Sequence, residues 1–175
     1  FGLVKSGKVK MPSETLDLAM FNHTLDFLTN SSYKHYEISN FCKKGMICKH
    51  NMHYWNLDNY LAFGPSAHGF DGSKRWWNVR SLNEYFQKID NNQLPLENSE
   101  NLSVKNHFNE SIFNGLRMKK GVKLDQLKKI YPGDLKTFID QKCNKWKGLK
   151  ILDNHLFLDE IGILLADEIS SDLFI

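Results

Sequence analysis

The chain has 175 residues, 41% of them apolar, 13% aromatic and 25% charged, with a formal net charge of +3. This composition excludes a disordered chain, and a chain of this length buries roughly 70% of its unfolded surface. Apolar runs such as Ile163-Leu164-Leu165-Ala166 fall far short of the roughly 18 residues of a membrane helix.

Three cysteines, at positions 42, 48 and 143, do not read as a secreted disulfide framework, so a reducing cytoplasm is the expected location. The start, Phe1-Gly2-Leu3-Val4, carries no initiator methionine or signal peptide and reads as a fragment of a longer protein. Ser13 after Pro12 is placed to cap a helix. Leu16, Met20, His23 and Phe27, widened by Leu18, Phe21, Leu25 and Leu28, predict a stripe facing a core. Asn30-Ser31-Ser32 stops that helix. Residues 33–39 read as a strand, a step of the kind found in parallel α/β folds.

Residues 40–59 show no period and are expected as a long functional loop, dense in aromatics and histidines. Residues 60–63 read as a short strand that Gly64-Pro65 interrupts. A hairpin over 67–79 has Asp71-Gly72 at its turn. Ser81 and Glu84 form a capping-box pattern for a helix with Leu82, Tyr85, Phe86 and Ile89 on its apolar side. The polar stretch 90–103 is the expected domain boundary. Beyond it Ser103 caps the stripe Val104, Phe108, Ile112, Leu116, and shorter helices fit 124–131 and 135–146. A hairpin over 149–158 turns at Asp153-Asn154, and 161–173 reads as one last helix. The expectation is an α/β region over residues 1–95, followed by a mainly helical, winged-helix-like domain over 103–175.

The densest chemical signal is Cys48-Lys49-His50-Asn51-Met52-His53-Tyr54-Trp55. His50 and His53 offer imidazoles to a metal or a heme, and Cys42 and Cys48 offer thiolates; packing within an aromatic loop is the alternative. Gly64-Pro65-Ser66-Ala67-His68-Gly69 permits close backbone approach to a ligand, or else only a tight bend. His68 is an acid–base group only if a partner reaches it. Arg117 reads as a solvated helix-terminus charge, Trp76 and Trp77 as a stacking surface or core, and Cys143 as core packing. Residues 119–150 hold ten lysines and three aspartates, while 151–175 hold six acids and no Lys or Arg. The lysines are scattered over helices and loop, so a solubilising face is expected rather than a nucleic-acid site.

The ordered set Tyr36-Glu37-Ile38-Ser39-Asn40-Phe41, His50-Asn51-Met52-His53-Tyr54-Trp55, Gly64-Pro65-Ser66-Ala67-His68 and Arg75-Trp76-Trp77-Asn78-Val79 resembles the heme chaperone branch of the radical SAM coproporphyrinogen-oxidase-like family. Asn114-Gly115-Leu116-Arg117 and the ending Leu164-Leu165-Ala166-Asp167-Glu168-Ile169 resemble its C-terminal domain. The resemblance implies an N-terminal radical SAM partial barrel whose CxxxCxxC motif holds a 4Fe-4S cluster, with S-adenosyl-L-methionine completing its ligation. No CxxxCxxC occurs in this chain, so the implied identity is the C-terminal part of that barrel plus the attached helical domain, inactive alone.

The resemblance further implies heme binding at His50, Asn51, Tyr54 and Trp55, with His50 on the iron. Ser39 and the bend at Gly64, Ser66 and Ala67 would close the SAM site. Implied partners are the missing N-terminal radical SAM region, heme and recipient hemoproteins at the membrane, with no nucleic acid. The alternative is the oxygen-independent oxidase that converts coproporphyrinogen III to protoporphyrinogen IX. Those enzymes carry an Ile-Gly-Met-Asp-His-Phe-like segment where this chain has Tyr36 to Phe41. A structural or interaction domain is the third reading. Asp159 stands where the family commonly has Thr, and either residue can cap.

Overall fold

The computed structural model describes residues 2–175. They form two compact units, one ending at Ile47 and one running Cys48–Ile175. The first holds α1 (Gly2–Lys5), α2 (Glu14–Asn30), β1 (Lys34–Glu37) and β2 (Asn40–Cys42). Ser13 caps α2 as expected, its Oγ accepting the Leu16 N–H at 3.3 Å. β1 does not lead to a parallel neighbour: it folds straight back on β2, antiparallel, with Lys34 opposite Cys42. The cause is Glu37, fully buried, whose carboxylate accepts the Ser39 N–H at 3.0 Å and the Asn40 side-chain amide at 2.5 Å. The apolar stripe of α2 meets no core in this unit. None of its residues is buried, because a two-stranded hairpin cannot cover a 17-residue helix.

The second unit begins with α3 (Lys49–Trp55), β3 (His68–Phe70), β4 (Lys74–Asn78), α4 (Leu82–Asp90) and β5 (Leu96–Asn101). Residues 40–59 are therefore not one loop, since they contain β2 and α3. Residues 60–63 are not a strand; a single bridge joins Tyr60 to Phe70. The polar stretch that reads as a connector contains β5, which pairs antiparallel with β4 from Lys74–Asn101 to Asn78–Leu96. An edge strand is held by backbone bonds, so it needs no apolar alternation. Ser81 caps α4 by accepting the Glu84 N–H, yet Leu82, Phe86 and Ile89 stay exposed.

The remainder comprises α5 (Val104–Arg117), β6 (Val122–Lys123), α6 (Leu124–Ile130), α7 (Leu135–Lys145), β7 (Leu149–Leu152), β8 (His155–Leu158), α8 (Glu160–Ile163) and α9 (Ala166–Asp172). Ser103 and Asn106 form a reciprocal capping box at the start of α5. Phe108, Ile112 and Leu116 are buried from it as the spacing predicts, while Val104 remains 59% exposed. They pack in a core with Leu127, Ile139, Leu149, Leu156, Ile169 and Leu173, all fully buried.

The expected two-stranded wing has a third strand, giving the order β6-β8-β7. Gly115 permits this: a Cβ there would sit 2.4 Å from the Val122 Cβ, so only glycine lets β6 lie on α5. The final helix is broken into α8 and α9. Asp159 caps α8 through the Ile161 and Gly162 N–H groups, and Gly162 is pressed against Gly148. The chain must then turn at Leu165 (φ −116°, ψ 22°) before α9 begins. The architecture is mixed α/β, with small open sheets and no closed barrel among the described residues. No helix among the described residues is long and apolar enough to cross a membrane.

Candidate functional site

α3 sorts the His50–Trp55 motif onto two faces. Residues four apart share a helix face, so His50 and Tyr54 lie together, and Asn51 and Trp55 lie together on the next. His50 is exposed and meets Tyr54 edge-on, centroids 5.0 Å apart at 88°. Tyr54 meets Tyr60 at 4.8 Å, and Tyr60 meets Phe70 at 6.0 Å. The last two are also locked by backbone bonds, Tyr60 N–H to Phe70 O at 2.9 Å and the reverse at 2.8 Å.

Arg75 sits 5.7 Å over the Phe70 ring. Its two terminal nitrogens each lie 3.0 Å from a Glu110 oxygen, joining β4 to α5. Burial works against the guanidinium charge, but the hydrogen bond and field of Glu110 outweigh it, and the Arg75 pKa is held above its ordinary value. Asn114 on α5 adds a long hydrogen bond, 3.5 Å, from its amide to the Tyr54 carbonyl. A row of rings thus runs from the His50 surface to an ion pair on α5.

The two histidines of α3 differ. His53 is committed, its Nδ1 2.9 Å from an Asp58 carboxylate oxygen. Neither ring nitrogen of His50 has a hydrogen-bond partner among the described residues. An exposed imidazole with free nitrogens and an aromatic edge beside it is chemically able to donate to a metal.

Trp55 turns the other way. The Arg117 guanidinium lies 5.3 Å over its ring and 5.8 Å over Phe113, so Arg117 is a ring contact rather than the solvated terminus that its position suggests. The indole Nε1 of Trp55 is buried with no hydrogen-bond partner.

The bend after Tyr60 is held chiefly by Asn78, which the sequence shows only as part of the Arg75–Val79 motif, with no role of its own. Gly64 (φ +96°) and Ser66 (φ +58°) both occupy the left-handed region. Asn78, 1% exposed, donates its side-chain amide to the Gly64 carbonyl at 2.9 Å and to that of Ala62 at 3.2 Å. The Ala67 carbonyl accepts the Asn78 N–H, and the Ser66 N–H reaches the Val79 carbonyl. The Gly64 N–H donates to the Tyr85 hydroxyl at 3.1 Å. An Asn next to a strand end is the available signal, since its amide can replace backbone partners in a bend. His68 is exposed and tilts over Trp77 at 5.8 Å. Ser39 lies in the other unit, exposed, its N–H taken by Glu37.

The cysteines are all free; Cys42 is buried, Cys48 exposed and Cys143 half-buried, with burial pushing the Cys143 thiol up. Among the described residues no group of three or more His, Cys, Asp or Glu is arranged to hold a metal. The donor set of the described residues does not fit an iron–sulfur cluster. In the lysine-rich stretch, Lys142 and Lys145 pair with Asp172, and Lys150 lies 3.9 Å from Asp159. Those charges are partly neutralised by the acidic C-terminal segment.

No family model matches the chain. A heme chaperone HemW of Bacillus subtilis is 27% identical over 172 residues, covering 97% of this chain and 45% of its own length. HemW of Lactococcus lactis is 32% identical over 149 residues, covering 79% of this chain and 38% of its own. HemW of Mycobacterium tuberculosis is 30% identical over 124 residues, covering 71% and 32%. The chain thus spans less than half the length of these curated relatives. Among solved structures, the coproporphyrinogen III oxidase HemN of Escherichia coli, described as a radical SAM enzyme, superposes with a TM-score of 0.69. That match has 15% identity and covers 93% of this chain and 42% of that one, so the fold is shared.

Proposed function

Because the chain belongs to the radical SAM coproporphyrinogen-oxidase-like family, we propose that it is the C-terminal part of a heme chaperone that binds heme and passes it to hemoproteins. Residues 1–95 complete the radical SAM partial barrel, and residues 103–175 form the attached winged-helix-like domain. An upstream region of the same polypeptide supplies the 4Fe-4S cluster and S-adenosyl-L-methionine, for which the described residues hold no donor set. The Gly64, Ser66 and Ala67 bend, held in shape by Asn78, borders that cofactor site. The recipients are hemoproteins, membrane ones included, and the setting is the cytoplasm.

The observation that carries this reading is His50: exposed, with free ring nitrogens, and braced edge-on by Tyr54. It binds the heme iron through its imidazole. Tyr54 meets the macrocycle, while Asn51 and Trp55 anchor the helix behind. His53, held by Asp58, is not the ligand. Decarboxylation of coproporphyrinogen III has only the shared fold in its favour.

Hemin titration of the full-length protein, followed by the Soret band, tests the assignment. His50→Ala should lose the wild-type spectrum and affinity, and His53→Ala should keep both. The opposite pattern overturns the ligand assignment, and two unchanged spectra make the motif structural.

A further inference from the structure

α3 presents His50, yet little within α3 keeps that residue in place. The helix has seven residues, no side-chain cap from Cys48 and no buried residue, and helices under about 12 residues are marginal on their own. The Tyr54–Tyr60 and His53–Asp58 contacts tie it to the chain that follows it directly. α5 is a rigid support, because Phe108, Ile112 and Leu116 fix it in the core. From α5 the Asn114 amide reaches the Tyr54 carbonyl at 3.5 Å, the outer limit of a hydrogen bond, and Arg117 covers Trp55.

The Trp55–Arg117 contact acts as a clamp. A buried indole is ordinarily oriented through its N–H, but that of Trp55 donates to nothing among the described residues. Turning the ring toward water would satisfy the donor, so its orientation depends on what lies against the ring face. That is the Arg117 guanidinium, 5.3 Å from the Trp55 centroid and 5.8 Å from that of Phe113, one turn earlier on α5. A planar guanidinium stacks on ring faces where an ammonium cannot. Trp55 follows His50 by five positions, so the two side chains leave α3 about 140° apart. Holding Trp55 therefore fixes the rotation of α3 about its axis, and with it the direction in which His50 faces.

We infer that Arg117 is a positioning residue: through Trp55 it aims the His50 imidazole, a role that rests on His50 being the heme ligand. The C-terminal domain thereby sets the geometry of a site to which it contributes no ligand.

The test is a double-mutant cycle in the full-length protein, read by the Soret band. Arg117→Met should weaken hemin binding about 10-fold, equivalent to about 1.4 kcal/mol, and change the spectrum of the bound heme. Arg117→Lys keeps the charge without the plane and should fall between Arg117→Met and wild type. In His50→Gly supplied with imidazole, the ligand is no longer tethered to α3. Adding Arg117→Met there should change the affinity by less than about 2-fold. Hydrogen exchange without heme reads α3 itself. The Met52 and Asn56 N–H groups, bonded to the Cys48 and Met52 carbonyls, should exchange about 10-fold faster in Arg117→Met, while those of Phe108 to Leu116 are unchanged. Unaltered affinity in Arg117→Met, when His50→Gly has lost binding, overturns the inference alone. So does an equal loss with and without the His50 side chain, or unchanged exchange in α3. Wild-type binding by His50→Gly without imidazole overturns the ligand reading beneath it.

Discussion

Replacing Arg75 by alanine tests whether the row of rings behind His50 is anchored as the structure indicates. The Arg75 and Glu110 side chains are 25% and 23% exposed, which places the pair between surface bridges and fully buried ones. Hydrogen bonds to charged groups contribute about 1.5–3 kcal/mol, and a cation over an aromatic face adds roughly 0.5–1 kcal/mol. The variant also leaves Glu110 facing Glu100, which lies 3.6 Å from the same guanidinium. The expected loss is about 2–3 kcal/mol, below the roughly 3–5 kcal/mol of breaking a fully buried pair. For a chain of this size that lowers Tm by roughly 5–10 °C. The assay is a thermal and urea double-mutant cycle with Arg75→Ala, Glu110→Ala and both together. A coupling of about 1–2 kcal/mol is expected for a pair in contact. A coupling under about 0.3 kcal/mol would refute the anchoring argument.

Other sites give sharper local tests. Hydrogen bonds from Lys145, then from the Trp146 indole and Lys142, hold the Asp172 carboxyl well below the usual carboxylate range. A depressed folded-state pKa stabilises above the unfolded value of about 4 and loses that contribution as pH falls further. Asp172→Asn should therefore cost about 1–2 kcal/mol at neutral pH, and its difference from wild type in urea melts should shrink as pH drops below about 4. Asn78→Ala removes both amide donors from the Gly64 bend and should cost about 2–3 kcal/mol by chemical denaturation, with Asn78→Asp no better because it lacks the donors. Gly121→Ala places a Cβ 2.2 Å from the Leu156 carbonyl oxygen at φ +74°, and should cost about 3 kcal/mol or more. Hydrogen exchange should then speed up in β6 and β8 first.

Features written by adjacent residues were legible in the sequence. Ser13, Ser81, Ser103 and Asp159 all cap helices because a short polar side chain reaches an N–H two or three residues ahead. Asp153 and Asn154 tolerate the positive φ of a two-residue hairpin turn, and they adopt it. α3 escaped because seven residues give no room for a repeat, and its polar residues share both faces with aromatics. β5, with the sequence Leu-Glu-Asn-Ser-Glu-Asn, reads as a linker because its pairing depends on the backbone of β4. At the candidate site the motif residues were visible, but their division between two faces needed the helix. The Arg75–Glu110 pair spans 35 residues, and the Asn78 amide reaches back 14 to Gly64. Contacts at that separation leave no local pattern to read.

Chemical rescue tests His50 as the heme ligand most directly. His50→Gly and His53→Gly of the full-length protein are each loaded with one equivalent of hemin, and imidazole is added while the Soret band and the affinity are followed. His53→Gly should match wild type without imidazole. His50→Gly should lose the wild-type spectrum and regain it when imidazole fills the vacated position. A His50→Gly spectrum identical to wild type before imidazole is added would contradict the claim.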